Sequence, residues 1–246
     1  MKFLLSNDDG YLAPGINELA HILSSIGEVV IVAPEENKSA SSSSLTLKNP
    51  LTITEHKKNI YFINGTPTDC VHIALSGFLK FKPDMVISGI NDGPNMGDDT
   101  IYSGTVAAAM EGYLYDIPSL AISMGKREPK YFETAAKVTL DLIERYKINS
   151  FEKPTLLNVN VPDLPYEKIM GTSVTRLGKR HQAEPVIQSI SPNGEKLYWV
   201  GAAGEPNDGG PGTDFFAIKE NHVSISPIQA DLTQHKDISM LTDWIK

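Results

Sequence analysis

Apolar residues in this chain fall into two alternating rhythms. Short runs at residues 2–5, 28–33, 60–63, 85–88, 120–123 and 155–161 have the length of strands. The Val-Val-Ile-Val core of residues 29–32 is too continuously apolar for a half-exposed edge and predicts a parallel strand covered on both faces. Between these runs, apolar residues recur at helical spacing: Ile16, Leu19, Ala20, Leu23 and Ile26; then Val71, Ala74, Leu75, Phe78 and Leu79, with Cys70 on the same face; then Val106, Ala109, Met110, Tyr113 and Leu114. A longer stripe over residues 131–149 turns Phe132, Ala135, Ala136, Leu142, Ile143 and Tyr146 inward. Strand, helix, strand within about thirty residues is a βαβ unit with a right-handed crossover, which places the chain in the α/β class.

The rhythm fades beyond Pro162. Strands are expected at residues 169–175, 196–200, 215–218 and 222–225, with a short closing helix through Leu241 and Trp244. Residues 189–195 and 201–213 are rich in Gly, Pro, Asn and Asp and read as an extended loop or arm, of the kind that exchanges between subunits. The expected organisation is a core over residues 1–165 and a smaller β-rich C-terminal subdomain over residues 166–246.

Polar residues concentrate where strands end. The first strand stops at Ser6-Asn7-Asp8-Asp9-Gly10, a turn carrying two adjacent acids. The second ends at Pro34 and opens into residues 35–44, with four successive serines after Ala40. The turn Asn64-Gly65-Thr66-Pro67-Thr68-Asp69 carries a helix-capping signal. After residue 88 comes a loop with three glycines, two asparagines and three aspartates in twelve residues, and Ser103 or Thr105 then opens the next helix. Exits of parallel strands share one sheet edge, where open α/β sheets bind their ligands.

Charge and composition narrow the chemistry. With 22 Lys and Arg against 30 Asp and Glu, the net charge is -8, and no basic stripe exists to neutralise a nucleic-acid backbone. Cys70 is the single cysteine, so there is no intrachain disulfide framework, and no basic leader runs into a long apolar segment. A cytoplasmic protein without membrane association is expected.

The loops at Asp8 and Asp9, at Ser39 and from Asn91 onward offer carboxylate, hydroxyl and amide oxygens. That donor set favours a hard cation, magnesium or manganese. Such a cation holds a phosphate oxygen and lowers the pKa of water. The N–H groups of residues 93–97 and the hydroxyls of Ser103 and Thr105, at the positive end of a helix, supply a phosphate cradle. No G-x-x-x-x-G-K-[ST] sequence and no G-x-G-x-x-G after the first strand is present, which disfavours P-loop enzymes and Rossmann dehydrogenases. Arg180-His181 lacks a neighbouring glycine, and Cys70 lacks an arginine-bearing loop, so neither is a phosphatase nucleophile. Of the readings left open, these residues favour metal-dependent phosphate-ester hydrolysis.

Five stretches carry a family resemblance: L-L-S-N-D-D-G-x-x-A-P-G-I, V-A-P-x-x-N-x-S, G-T-P-T-D-C, S-G-I-N-x-G-P-N-x-G-D-D and Y-S-G-T-V-A-A-A-M-E-G, in order within residues 4–112. The chain resembles the SurE family, metal-dependent 5'/3'-nucleotidases, and L-L-N-V-N-V-P, T-R-L-G, G-T-D and V-S-I-S-P extend the likeness to the C-terminal third. The resemblance implies a Rossmann-like, mostly parallel sheet with helices on both faces. It implies one divalent metal ion per subunit on Asp8, Asp9, Ser39 and Asn91, with Asp8 and Asp9 also the catalytic candidates. Phosphate and substrate contacts are expected at Asn95, Gly97, Ser103, Gly104 and Thr105. A homodimer or homotetramer hydrolysing nucleoside monophosphates, 5' and also 3', follows from the same resemblance. A phosphotransferase acting on nucleosides and a non-catalytic nucleotide-binding protein are the alternatives. The family's usual glycine after the ligand serine is Ala40 here, which stiffens that loop.

Overall fold

The computed structural model describes residues 1–180, 184–201 and 203–246; His181 lies outside them. In chain order the strands are β1 (Lys2–Ser6), β2 (Glu28–Pro34), β3 (Ile53–Lys57), β4 (Ile60–Ile63), β5 (Met85–Asn91), β6 (Ser119–Met124), β7 (Leu156–Val161), β8 (Gly171–Val174), β9 (Ile187–Ile190), β10 (Lys196–Trp199) and β11 (His222–Ile228). The helices are α1 (Pro14–Leu23), α2 (Pro67–Ile73), α3 (Gly104–Leu114), α4 (Phe132–Ile148), α5 (Asp214–Lys219) and α6 (Ile238–Trp244).

Nine strands form one sheet in the order β3-β4-β2-β1-β5-β6-β7-β11-β8. Pairing is parallel from β4 through β2, β1, β5 and β6 to β7, and antiparallel at β3–β4 and β7–β11. The continuous apolar runs have a simple cause. In β1, Phe3 and Leu5 face the core shared with α1 and α4, while Leu4 faces the core shared with α2 and α3. Side chains alternate across a strand, so one helix layer on each face demands apolar residues at every position. The small residues of α3 do what their size allows: a Cβ at Gly112 would stand 2.6 Å from the Val86 Cβ, so the helix lies directly on β5.

Several expectations are corrected in detail. Residues 215–218 form helix α5 rather than a strand, because the Thr213 hydroxyl accepts from the Phe216 N–H and starts a helix that a four-residue apolar run could not announce. Strand β5 continues past Ser88 to Asn91, which carries that residue on the strand's end instead of inside the following loop. The helix expected through Leu79 ends as α2 at Ile73 and passes into a wide turn, Ala74–Phe78, in which Gly77 has φ 154°. Helix α1 stops short of Ile26, and β3, from Ile53, is a strand the apolar runs did not predict.

After residue 165 the chain does two things. Strands β8 and β11 complete the far side of the main sheet. The antiparallel hairpin β9–β10 forms a separate sheet, and α6 closes the chain with no buried residue.

Candidate active site

Strands β1, β2 and β5 are neighbours at the centre of the sheet, and their C-terminal ends open into one cavity of about 500 Å³. The turn after β1 is held from inside. The buried Asn7 side chain donates to the Gly10 carbonyl at 2.9 Å and accepts the Gly10 N–H at 3.2 Å, which folds the chain back and projects Asp8 and Asp9 past the strand end.

Asp8 is buried, 4% exposed, against the start of α3. Its Oδ1 accepts the Thr105 hydroxyl at 2.5 Å, and the Gly104 and Thr105 backbone N–H groups also stabilise the carboxylate. Gly104 has no alternative here, since a Cβ would come within 2.8 Å of the Asp8 Cβ. Burial raises the Asp8 carboxyl above its ordinary value, and those donors offset only part of the rise. Asp9 is pushed up to about 6, first by burial and then by the charge of Asp8; the Asp92 N–H, 3.2 Å from Asp9 Oδ2, works against the shift.

The serine-rich loop after β2 is stitched to this turn. The Lys38 N–H donates to the Asp8 carbonyl at 2.7 Å. Asn37 links both sides: its amide nitrogen stands 3.4 Å from Asp9 Oδ1, and its oxygen accepts the Ser39 N–H at 2.8 Å. Further on, the Ser42 N–H donates to the Tyr102 carbonyl, and Thr46 donates from its N–H and its hydroxyl to Asp69. Ser39 therefore faces the cavity from a loop fixed along its length, although four serines in a row read as low complexity. Ala40, beside it, has φ 62°, in the left-handed region that glycine occupies freely.

Asn91, at the end of β5, completes the wall. Its amide nitrogen donates to the Gly93 carbonyl at 2.8 Å, which leaves the amide oxygen as the atom that could face a cation. Asp8, Asp9, Ser39 and Asn91 all line the cavity. Among the described residues, no three His, Cys, Asp or Glu side chains gather as a metal site. The candidate set contains only two acids and takes its other oxygens from a hydroxyl and an amide. Its chemistry fits a hard divalent cation: two adjacent carboxylates, both raised by burial and one by its neighbour's charge, gain most from a positive charge between them.

The remaining expected residues divide. Asn95 and Ser103 line the cavity, and the Ser103 hydroxyl also caps α3 by accepting the Val106 N–H at 3.1 Å. Gly97 lies behind the wall, where its N–H donates to buried Asp214 at 2.7 Å. Gly104 and Thr105 are turned to Asp8 as described. Asn95 is itself clamped by the far strands. Its N–H donates to Asn160 Oδ1 at 3.0 Å, its carbonyl accepts from the amides of Asn158 and Asn160, and its side chain donates to Ser123. The polar positions in the N-V-N-V of β7 were the signal for this clamp.

Sequence reasoning missed Tyr102, Asp92, Asp99, Arg127, Glu128 and Ala203, which line the same cavity. Arg127 brings positive charge to a wall rich in acids, and Asp99 is paired with Arg180, whose guanidinium Nε lies 2.9 Å from it.

A sequence model of the family described as "Survival protein SurE" matches residues 3–184. Over 245 residues, the chain is 56% identical to the 5'-nucleotidase SurE of Methylobacillus flagellatus and 58% identical to that of Nitrosomonas eutropha; each alignment covers 100% of this chain and 99% of the relative. The crystal structure of a SurE protein from Aquifex aeolicus superimposes with a TM-score of 0.90 at 44% identity, covering 100% of both chains.

Proposed function

This chain belongs to the SurE family, and from that premise we propose that it is a hydrolase releasing phosphate from nucleoside monophosphates. The observation that carries this reading is the convergence of Asp8, Asp9, Ser39 and Asn91 on one cavity from three neighbouring strand ends. Members of the family are generally metal-dependent. We assign one magnesium or manganese ion per subunit to those four residues; when bound, it neutralises charge on the phosphoryl group and acidifies water.

The chain's own residues supply the rest. Asp9, the more accessible acid, is the candidate proton acceptor, and Asp8 is fixed in place by Thr105 and the start of α3. Asn95 and Ser103 face the phosphate, Gly97 and Gly104 shape the wall behind them, and Arg127 offsets negative charge at the rim. Substrates are 5'-monophosphates and also 3'-monophosphates.

Among the described residues, no helix is long and apolar enough to cross a membrane. A free, buried Cys70 suits a reducing cytoplasm. The exposed apolar residues of β9–β10 and α6 support assembly as a homodimer or homotetramer.

The test is phosphate release from a panel of nucleotides with magnesium, manganese or EDTA. Activity is expected only with metal, and Asp8→Asn is expected to lower it by about a thousandfold. Turnover untouched by EDTA and by that substitution would overturn the assignment.

A further inference from the structure

Tyr102 leaves a large aromatic ring open on the wall of the active-site cavity. The residue is 64% exposed, and among the described residues neither its ring nor its hydroxyl has a partner. Its backbone, by contrast, is fixed. Tyr102 ends the helical turn Gly97–Tyr102, and its carbonyl accepts the Ser42 N–H at 3.3 Å, so the serine loop braces it from outside. One residue further on, Ser103 lines the same cavity, and Gly104 packs against Asp8. A free ring on a fixed backbone therefore lines the same cavity as Ser103, the residue next to it.

Resting on the hydrolase reading above, we propose that Tyr102 is the platform on which the substrate's nucleobase stacks. It thereby sets the preference for nucleotides over plain sugar phosphates. A π-face accepts any base, and stacking on a single aromatic ring is tolerant of base identity. The platform consequently selects for the presence of a base and discriminates little between bases. Ribose phosphates without a base lack the contact.

Two variants test this, Tyr102→Ala and Tyr102→Phe, each compared with the unmodified protein on adenosine 5'-monophosphate and on ribose 5-phosphate. Binding is read by calorimetry with magnesium present, and turnover by phosphate release. In Tyr102→Ala the ratio of the two affinities, and of the two kcat/KM values, is expected to move about tenfold or more against the nucleotide. Most of the change should lie in KM, and Tyr102→Phe should restore the ratio. An unchanged ratio, or no rescue by phenylalanine, overturns the role of Tyr102. Absence of phosphate release from either substrate by the unmodified protein counts against hydrolysis instead, and the calorimetric ratio still decides whether the ring binds the base.

Discussion

Two regions of this protein invert the usual arrangement of polar and apolar residues in opposite directions. At the ends of β1, β5 and β7, polar side chains are buried: Asn7, Asp8, Asn95, Asn158 and Asn160 are almost wholly shielded from solvent, and each has partners within the chain. In the hairpin β9–β10 and in α6, apolar side chains are exposed, among them Ile187, Ile190, Tyr198, Trp199, Met240, Leu241 and Trp244. A two-stranded hairpin is marginal by itself, and exposed apolar side chains there support the proposed assembly of subunits. The first region meets most of its polar needs within one chain, although Ser6 Oγ, Ser88 Oγ and Asn158 Oδ1 are buried without a hydrogen-bond partner among the described residues. The second presents surface that one chain does not cover. Substitutions in the first should thus cost folding or activity directly, whereas those in the second should change association.

Asn160→Ala gives the largest expected effect on stability, since it strips the buried Asn95 N–H of its acceptor and its carbonyl of one donor. A loss of about 2–3 kcal/mol in urea denaturation is expected, and a change near zero would show that the clamp is dispensable. Thr105→Val keeps the shape of the side chain and removes the hydroxyl from Asp8. Phosphate release should fall about tenfold to a hundredfold, with more magnesium or manganese needed for half-maximal activity.

Asp69→Asn probes the junction between the serine loop and α2. Burial alone would raise the Asp69 carboxyl, but hydrogen bonds from the N–H and hydroxyl of Thr46 and from the N–H of Thr66 outweigh it and hold the group below its ordinary value. A depressed carboxyl contributes stability above its unfolded pKa and loses it as pH falls through the folded value. The variant should therefore be about 1–2 kcal/mol less stable at neutral pH, and the gap should close in acid below pH about 4. Trp244→Ser sits at the far end of the scale: the body should change by less than about 0.5 kcal/mol, while light scattering reports a smaller assembly. A large loss of stability without a change in mass would erase the contrast between the regions.

What the sequence made legible follows the same division. Strands β1, β2, β5, β6 and β7 were readable because burial on both faces forces apolar runs, and α1 and α4 because burial on one face forces a helical stripe; α3 is buried on nearly all sides as far as Gly112, and Leu114 of its expected stripe is exposed. Asp8 and Asp9 were visible as acids halting an apolar run, and the capping box at Thr66 and Asp69 was visible in its spacing. Helix α5 was misread because its four apolar residues suit either period and Thr213 decides the matter. Tyr102, Arg127 and Ala203 escaped because they reach the cavity from a single short helical turn or from loops, where no periodicity records which way a side chain faces. The choice of Ser39 among several serines came from family likeness. The bridge through Asn37 holds the backbone of position 39 beside the acid pair.

The place of β1 at the centre of the sheet also sets the timing of assembly. The hydrogen bond between Asp9 and the Asp92 N–H spans 83 positions, so on the ribosome, at about 5–20 residues per second, the first strand and its acids wait several seconds for β5. During that interval the strand has one parallel neighbour at most, and non-local parallel pairing is slow to reward the closure of so long a loop. The nascent chain thus carries a central strand, buried from Phe3 to Ser6 in the finished fold and with its future active site attached, as an open edge until nearly the hundredth residue has been made.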